Sequence, residues 1–231
     1  MSKKKNDKAE VRVEGVEQVL TRAEQFIETY QKQIVWAVTA ILGVVLLYMA
    51  FQRLYVDNKS KTAAVQMFPA EQYFEKDDWD KALDGDGNNP GFTDIISDYR
   101  FTPQANLARY YAGICYLRLG AYDDAISNLS KFSSKDKILS SIALGSIGDA
   151  YAQLGESGKA VSFYKKAAEH KSNDFTAPLY LLRAGILLEQ EGQLKEAGEL
   201  YERIKTDYAV STEGRMIDKY IARIKVKQGG N

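Results

Sequence analysis

Three glycines, Gly113, Gly148 and Gly185, stand 35 and 37 residues apart, and around each the chain repeats one pattern of small and aromatic residues. The first copy runs Ala112, Gly113, Tyr116, Gly120, Tyr122, Ala125 and Leu129. The second runs Gly148, Tyr151, Gly155, Ala160, Tyr164 and Ala167, and the third Ala184, Gly185, Leu188, Gly192, Leu194, Ala197 and Tyr201. A period near 34 residues marks stacked helical hairpins, because a single hairpin cannot bury its own apolar face and must lend it to a neighbour. Gly113, Gly148 and Gly185 fall where the first helix of a hairpin approaches the second, opposite Ala125, Ala160 and Ala197. Gly120, Gly155 and Gly192 fall where the first helix ends, since glycine enters the left-handed conformation at low cost.

The pattern is tetratricopeptide-like and predicts an all-α helical solenoid. Three units occupy 105–210. A degenerate unit precedes them, with Ala70, Tyr73, Trp79 and Ala82 in the equivalent places and Asp77 where the turn glycine would stand. Its second helix breaks at LDGDGNNPGF, residues 83–92, and Phe92, Ile95, Ile96 and Tyr99 then form one apolar face of a short helix. The linker, this first unit and its inserted loop 84–91 together take up 54–104. After the third unit, Ser211 or Thr212 caps a last helix in which Met216, Ile217, Tyr220, Ile221 and Ile224 recur at helical spacing, so 211–231 reads as a capping helix and tail.

Residues 34–51, IVWAVTAILGVVLLYMAF, carry no charge and lie between Lys32 and Arg53. At a rise of about 1.5 Å per residue they cover roughly 27 Å, close to the hydrocarbon thickness of a bilayer. Trp36, Tyr48 and Tyr55 stand where an aromatic belt would lie. The run is longer than the apolar region of a signal peptide, and no small-x-small cleavage pattern follows it. The reading is a transmembrane helix over 34–53. Lys3, Lys4, Lys5 and Lys8 weight the preceding tail with positive charge and place it in the cytoplasm. Within 1–33, Val16, Val19, Leu20, Ala23, Phe26, Ile27 and Tyr30 give an amphipathic helix whose polar side is acidic, better suited to a partner helix than to anionic lipid.

Chemistry finds little purchase. Lys and Arg balance Asp and Glu at 31 each, and no basic run interleaved with aromatics recommends nucleic acid as a partner. One cysteine, Cys115, and one histidine, His170, argue against a disulfide framework, a zinc site or a Cys-His nucleophile, and no cofactor motif is present. The loop 84–91 resembles a calcium loop, with Asp84, Asp86 and Asn88 as candidate ligands. It lacks the glycine at place 6, which is Asn89, and the bidentate glutamate at place 12, which is Ile95. It reads as a glycine- and asparagine-rich corner, without a metal. An enzyme is not expected.

Binding has a place to happen. Places 2, 5, 9 and 12 of each first helix line the concave side of such a solenoid. Here they are Leu107, Tyr110, Ile114 and Leu117, then Ile142, Gly145, Asp149 and Ala152, then Leu179, Leu182, Ile186 and Glu189. This mainly apolar surface suits hydrophobic segments or a partner helix. It lacks the Lys, Arg and Asn set with which some tetratricopeptide proteins hold a peptide carboxylate. The helix at 212–226, or the segment near Phe92, is placed to cover the groove, and the pattern is equally compatible with an open one.

The segments VEQVLTRAEQFIETYQKQIVWAV, TAAVQMFPAEQYF and NLARYYAGICYLRLGAYDDAI resemble the YfgM-like family of bacterial inner-membrane tetratricopeptide proteins, in its Bacteroidota-type version, over about 14–226. The resemblance implies a cytoplasmic N-terminus and a periplasmic repeat domain. It implies as partners the Sec translocon, a membrane-anchored parvulin-like chaperone and unfolded exported chains, and it brings no catalytic residue. The expected function is a translocon-associated, chaperone-like protein-binding module. The alternative is a structural scaffold of a fixed envelope or motility complex.

Overall fold

The computed structural model describes residues 29–170 and 172–229. These are all-helical, without a strand among the described residues. The tail and the amphipathic stretch before residue 29 lie outside them. The chain divides into two units, Met1–Val56 and Asp57–Asn231.

In the first unit, helix α1 runs over 29–51 and passes into a π-helical turn, Gln52–Val56. Every side chain of the uncharged run is exposed except at Gly43, which is half-buried, with Trp36 75% and Leu47 73% accessible. The apolar window has no buried part. The helix is apolar on every side along this run and is long and apolar enough to cross a membrane.

The second unit is a succession of helices, each packed on the next. Helix α2, Asp57–Glu75, buries Ala63, Met67 and Ala70 along one face against α3, α4 and α5. Helix α3, Trp79–Asp84, is capped by the Asp78 side chain, which accepts from the Lys81 backbone N–H. Helix α4, Phe92–Asp98, follows the corner. Three hairpins come next: α5 (Pro103–Leu119) with α6 (Tyr122–Lys131), α7 (Lys137–Gln153) with α8 (Ser157–Glu169), and α9 (Ala177–Gln190) with α10 (Leu194–Asp207). Helix α11, Thr212–Gly229, closes the stack on α10 and α9.

The four interhelix turns share one geometry. In each, a backbone N–H reaches back five residues: Asp78 to Tyr73 O (3.0 Å), Ala121 to Tyr116 O (2.9 Å), Glu156 to Tyr151 O (2.9 Å) and Gln193 to Leu188 O (2.8 Å). The residue before that N–H must be left-handed for the bond to close. Gly120, Gly155 and Gly192 meet this with φ between 74° and 82°, and Asp77 meets it at φ 59°. The pair α2–α3 is thus built on the same turn as the later units, with an aspartate carrying the strain.

Inside each hairpin the close approach is to the residue four after the recurring alanine, Ala125, Ala160 or Ala197. A methyl group at Gly113 would stand 2.5 Å from Leu129, one at Gly148 would stand 2.7 Å from the Tyr164 ring, and one at Gly185 would overlap Tyr201. The alanines contribute backbone: the Ala125 and Ala160 carbonyls lie 3.3 Å from the methyl positions at Gly113 and Gly148.

Buried residues fall into two large cores and a small one. One core joins α2 to α5, from Ala63 to Cys115, and another joins α8 to α11, from Ala160 to Ile224. Between them lies a small cluster of Leu129, Ala143 and Ile147.

Candidate functional site: the inner groove

The inner faces of α5, α7 and α9 enclose an open groove of about 630 Å³. Of the residues singled out from the sequence, Tyr110, Ile114, Leu117, Ile142, Asp149 and Ala152 line it. The others lie elsewhere. Leu107 packs on the α2–α5 core, Leu182 is only 9% exposed within the α8–α11 core, and Leu179 packs against that same core. Ile186 faces a separate pocket of about 380 Å³ beside Glu189, Tyr220, Arg223 and Lys227.

In the third unit the groove is faced by Tyr180 and Arg183, one residue beyond the expected Leu179 and Leu182. The reason is Gly145 on α7: a methyl group there would overlap the Tyr180 ring, so the bare backbone makes the seat into which α9 lays this tyrosine. With Tyr180 turned towards α7, Leu182 turns into the core. Gly145 sits at a concave place in the repeat, one unit before a tyrosine, and that is the sequence signal that could have found the pair.

The groove is less apolar than the pattern suggested. Asp149 accepts from the Tyr164 hydroxyl (2.8 Å) and from the Arg183 guanidinium. Arg183 also lies 5.6 Å over the Tyr180 ring, and Tyr180 stacks on Tyr164 with centroids 6.3 Å apart and planes 12° from parallel. Burial is the main reason both phenols are hard to ionise, with Tyr180 pushed up to about 12. Arg118, Tyr122, Ser146 and Gln153 complete the polar lining.

Neither candidate cover reaches across. Phe92 is fully buried, stacked on Tyr111 at 5.0 Å and edge-on to Phe74 at 6.2 Å, so it belongs to the first core. Helix α11 docks at the third unit through a cluster around Glu189, whose side chain is 5% exposed. Glu189 accepts from Arg223 Nε and Nη2 (both 2.6 Å), Lys227 Nζ (2.8 Å) and the Tyr201 hydroxyl (3.1 Å). Burial would raise its pKa, but these donors outweigh burial and hold the carboxyl at about 2.

The corner 84–91 spends its oxygens on itself. Asp86 accepts from Asn89 N–H (2.7 Å), the Asn89 amide (2.9 Å), Asn88 N–H (2.8 Å) and the Tyr73 hydroxyl (2.8 Å). The Asn89 bonds first, then the others, hold its carboxyl well below the ordinary range. Backbone crosses backbone here: a methyl group at Gly91 would overlap Leu83 O, and Thr93 Oγ1 donates to the same carbonyl at 3.0 Å. Asp84 and Asn88 are exposed. Among the described residues no group of three or more His, Cys, Asp and Glu side chains converges as a metal site would require. Cys115 is fully buried, and burial pushes its thiol up to about 12, the opposite of an activated nucleophile. His170 ends α8, with its carbonyl accepting from Ser141 Oγ at 3.1 Å.

Compared with known families, residues 92–130, which span α4, α5 and α6, match the tetratricopeptide repeat. A search of curated proteins finds no match to this chain. Such repeats indicate a protein–protein interaction module.

Proposed function

We propose that this chain is a non-enzymatic, single-pass protein of the bacterial inner membrane. Residues 34–53 anchor it, the N-terminal tail is cytoplasmic, and the helical domain is periplasmic. There it receives exported chains beside the Sec translocon, together with a membrane-anchored parvulin-like chaperone. The observation that carries this reading is the open groove along α5, α7 and α9, uncovered by α11 or by the Phe92 segment. The tetratricopeptide match, the uncovered apolar helix and the resemblance of the whole chain to the YfgM-like family support it. Anchoring raises the effective concentration of a modest binding surface at one place on the membrane, which strengthens capture without any new contact.

Photocrosslinking from position 110 in living cells tests it, combined with co-purification from mildly solubilised membranes. Crosslinks to translocating chains and recovery of translocon subunits are expected, and both should fall in Ile114→Asp and in Arg118→Glu, whose side chain is exposed and outside the core. Crosslinks unchanged in both variants would reject the groove.

A second reading, a scaffold in a fixed envelope or motility complex, draws on one observation. The Asp149–Arg183–Tyr164 network makes the groove polar and directional, which favours a defined partner over promiscuous capture of apolar segments. A stoichiometric complex with one protein, in place of many crosslinks, would select this reading.

A further inference from the structure

A second concavity, of about 460 Å³, opens between the α5–α6 and α7–α8 hairpins and shares no lining residue with the inner groove. Its floor is Leu129, Ala143 and Ile147, each 2–4% exposed, and its walls include the half-buried rings of Phe132 and Phe163. The polar atoms around this floor are engaged by the chain itself. Ser133 N–H donates to Asn106 Oδ1 at 3.1 Å, and Ser133 O accepts from Asn106 Nδ2 at 2.8 Å. Ser134 Oγ accepts from Asp136 N–H at 3.0 Å, and Ser140 Oγ donates to Asp136 O. A peptide lying here would bring N–H and C=O groups out of water to face atoms that already have partners. A hydrocarbon chain carries no such groups and gains from each methylene it buries.

The mouth of the cleft is charged. Phe163, Lys166 and His170 follow one another at three- and four-residue spacing at the end of α8 and so share a face. Lys166 is exposed, holds its Nζ 4.6 Å over the Phe163 ring and forms no ion pair among the described residues. Glu169, the one carboxylate of α8, pairs with Arg203 at 3.7 Å, and Asp136 caps α7 by accepting from Leu139 N–H at 2.7 Å. An apolar interior with a cation at its rim is complementary to a hydrocarbon tail that ends in an anionic head, the head fixing the orientation of the tail.

We propose that this cleft binds one molecule of a long-chain fatty acid, its chain between Phe132 and Phe163 and its carboxylate beside Lys166. The site goes beyond the proposed function. It is separate from the inner groove, and its test is independent of any protein partner.

The test is photolabelling of the full chain in lipid nanodiscs with a palmitic acid that carries a diazirine in its chain, the adducts being located by peptide mass spectrometry. Probe dissolved in the bilayer labels 34–53 and serves as an internal reference. Adducts within 129–170 are expected, and excess unlabelled palmitate should lower them several-fold while the reference stays constant. Lys166→Glu should weaken them about two- to fivefold, the range open to an exposed ion pair. Ala143→Leu, which fills the cleft from its floor, should weaken them further with an unchanged circular-dichroism spectrum. The methyl ester of the same probe should label the cleft less than the acid does. Equal labelling by acid and ester, indifferent to Lys166→Glu, would overturn the carboxylate assignment. Adducts confined to the reference, or adducts within 129–170 that palmitate does not compete away, would overturn the site.

Discussion

At the scale of single residues, the fold turns on places where a side chain is absent or is held in an uncommon conformation. Gly148 leaves room for the Tyr164 ring, which is fixed at its far end by Asp149. Gly148→Leu should therefore force α7 and α8 apart and lose about 1–3 kcal/mol through overpacking, seen as a lower melting temperature. An unchanged melting temperature would contradict the register of the repeat. Asp77 shows the converse. It holds a left-handed φ of 59° that the other turns give to glycine, so Asp77→Gly should relieve strain and stabilise the chain by about 0.5–1 kcal/mol in denaturant titrations. The gain is limited because glycine also frees the unfolded chain. These positions were legible in the sequence, since the left-handed turn and the close helix approach each demand a particular residue type. Asp77 was legible only through its place in the repeat.

At the scale of elements, α11 depends on one carboxylate. Glu189 joins α9 to Arg223 and Lys227 of α11, and its carboxyl titrates at about 2 in place of 4.5. A lowered folded-state pKa gives stability that is present above pH 4.5 and is lost as pH falls from there towards 2. Hydrogen exchange in α11 should rise across that window, and Glu189→Gln should remove the pH dependence while raising exchange at neutral pH. Replacement by alanine should cost about 1–3 kcal/mol, the range for lost hydrogen bonds to charged groups. Exchange in α11 that ignores both acid and the substitution would show that apolar packing of Ile217, Ile221 and Ile224 holds the helix alone. The helix itself was predictable from its apolar spacing. That it docks beside α9 through Glu189, away from the groove, was not, because the pairing is made across 34 residues.

At the scale of the whole molecule, the second unit has a thin middle. Between the α2–α5 and α8–α11 cores lies a small cluster, Leu129, Ala143 and Ile147, beside a cleft of about 460 Å³ lined by Phe132 and Phe163. A solenoid is held by neighbour contacts, so a weak interface divides its cooperativity. Denaturant unfolding should then occur in two steps. In a Trp36→Phe background, Trp79 fluorescence reports the first core, and its midpoint should differ from that of far-ultraviolet circular dichroism; coincident curves would show one cooperative unit.

The number of hairpins, their turns and the uncharged run 34–51 were determined by sequence alone, because each rests on local backbone demands or on the transfer of contiguous apolar residues out of water. The identity of the groove was decided by tertiary packing. Whether Leu182 or Arg183 faces it depends on how α9 rolls against α7, and that roll is set by Tyr180 resting on Gly145, two residues from different repeats. The same holds for Phe92 and the corner 84–91. Their composition suggested ligands or a lid, but the fold brings Tyr73, Asn89 and Tyr111 against them and makes them part of the first core.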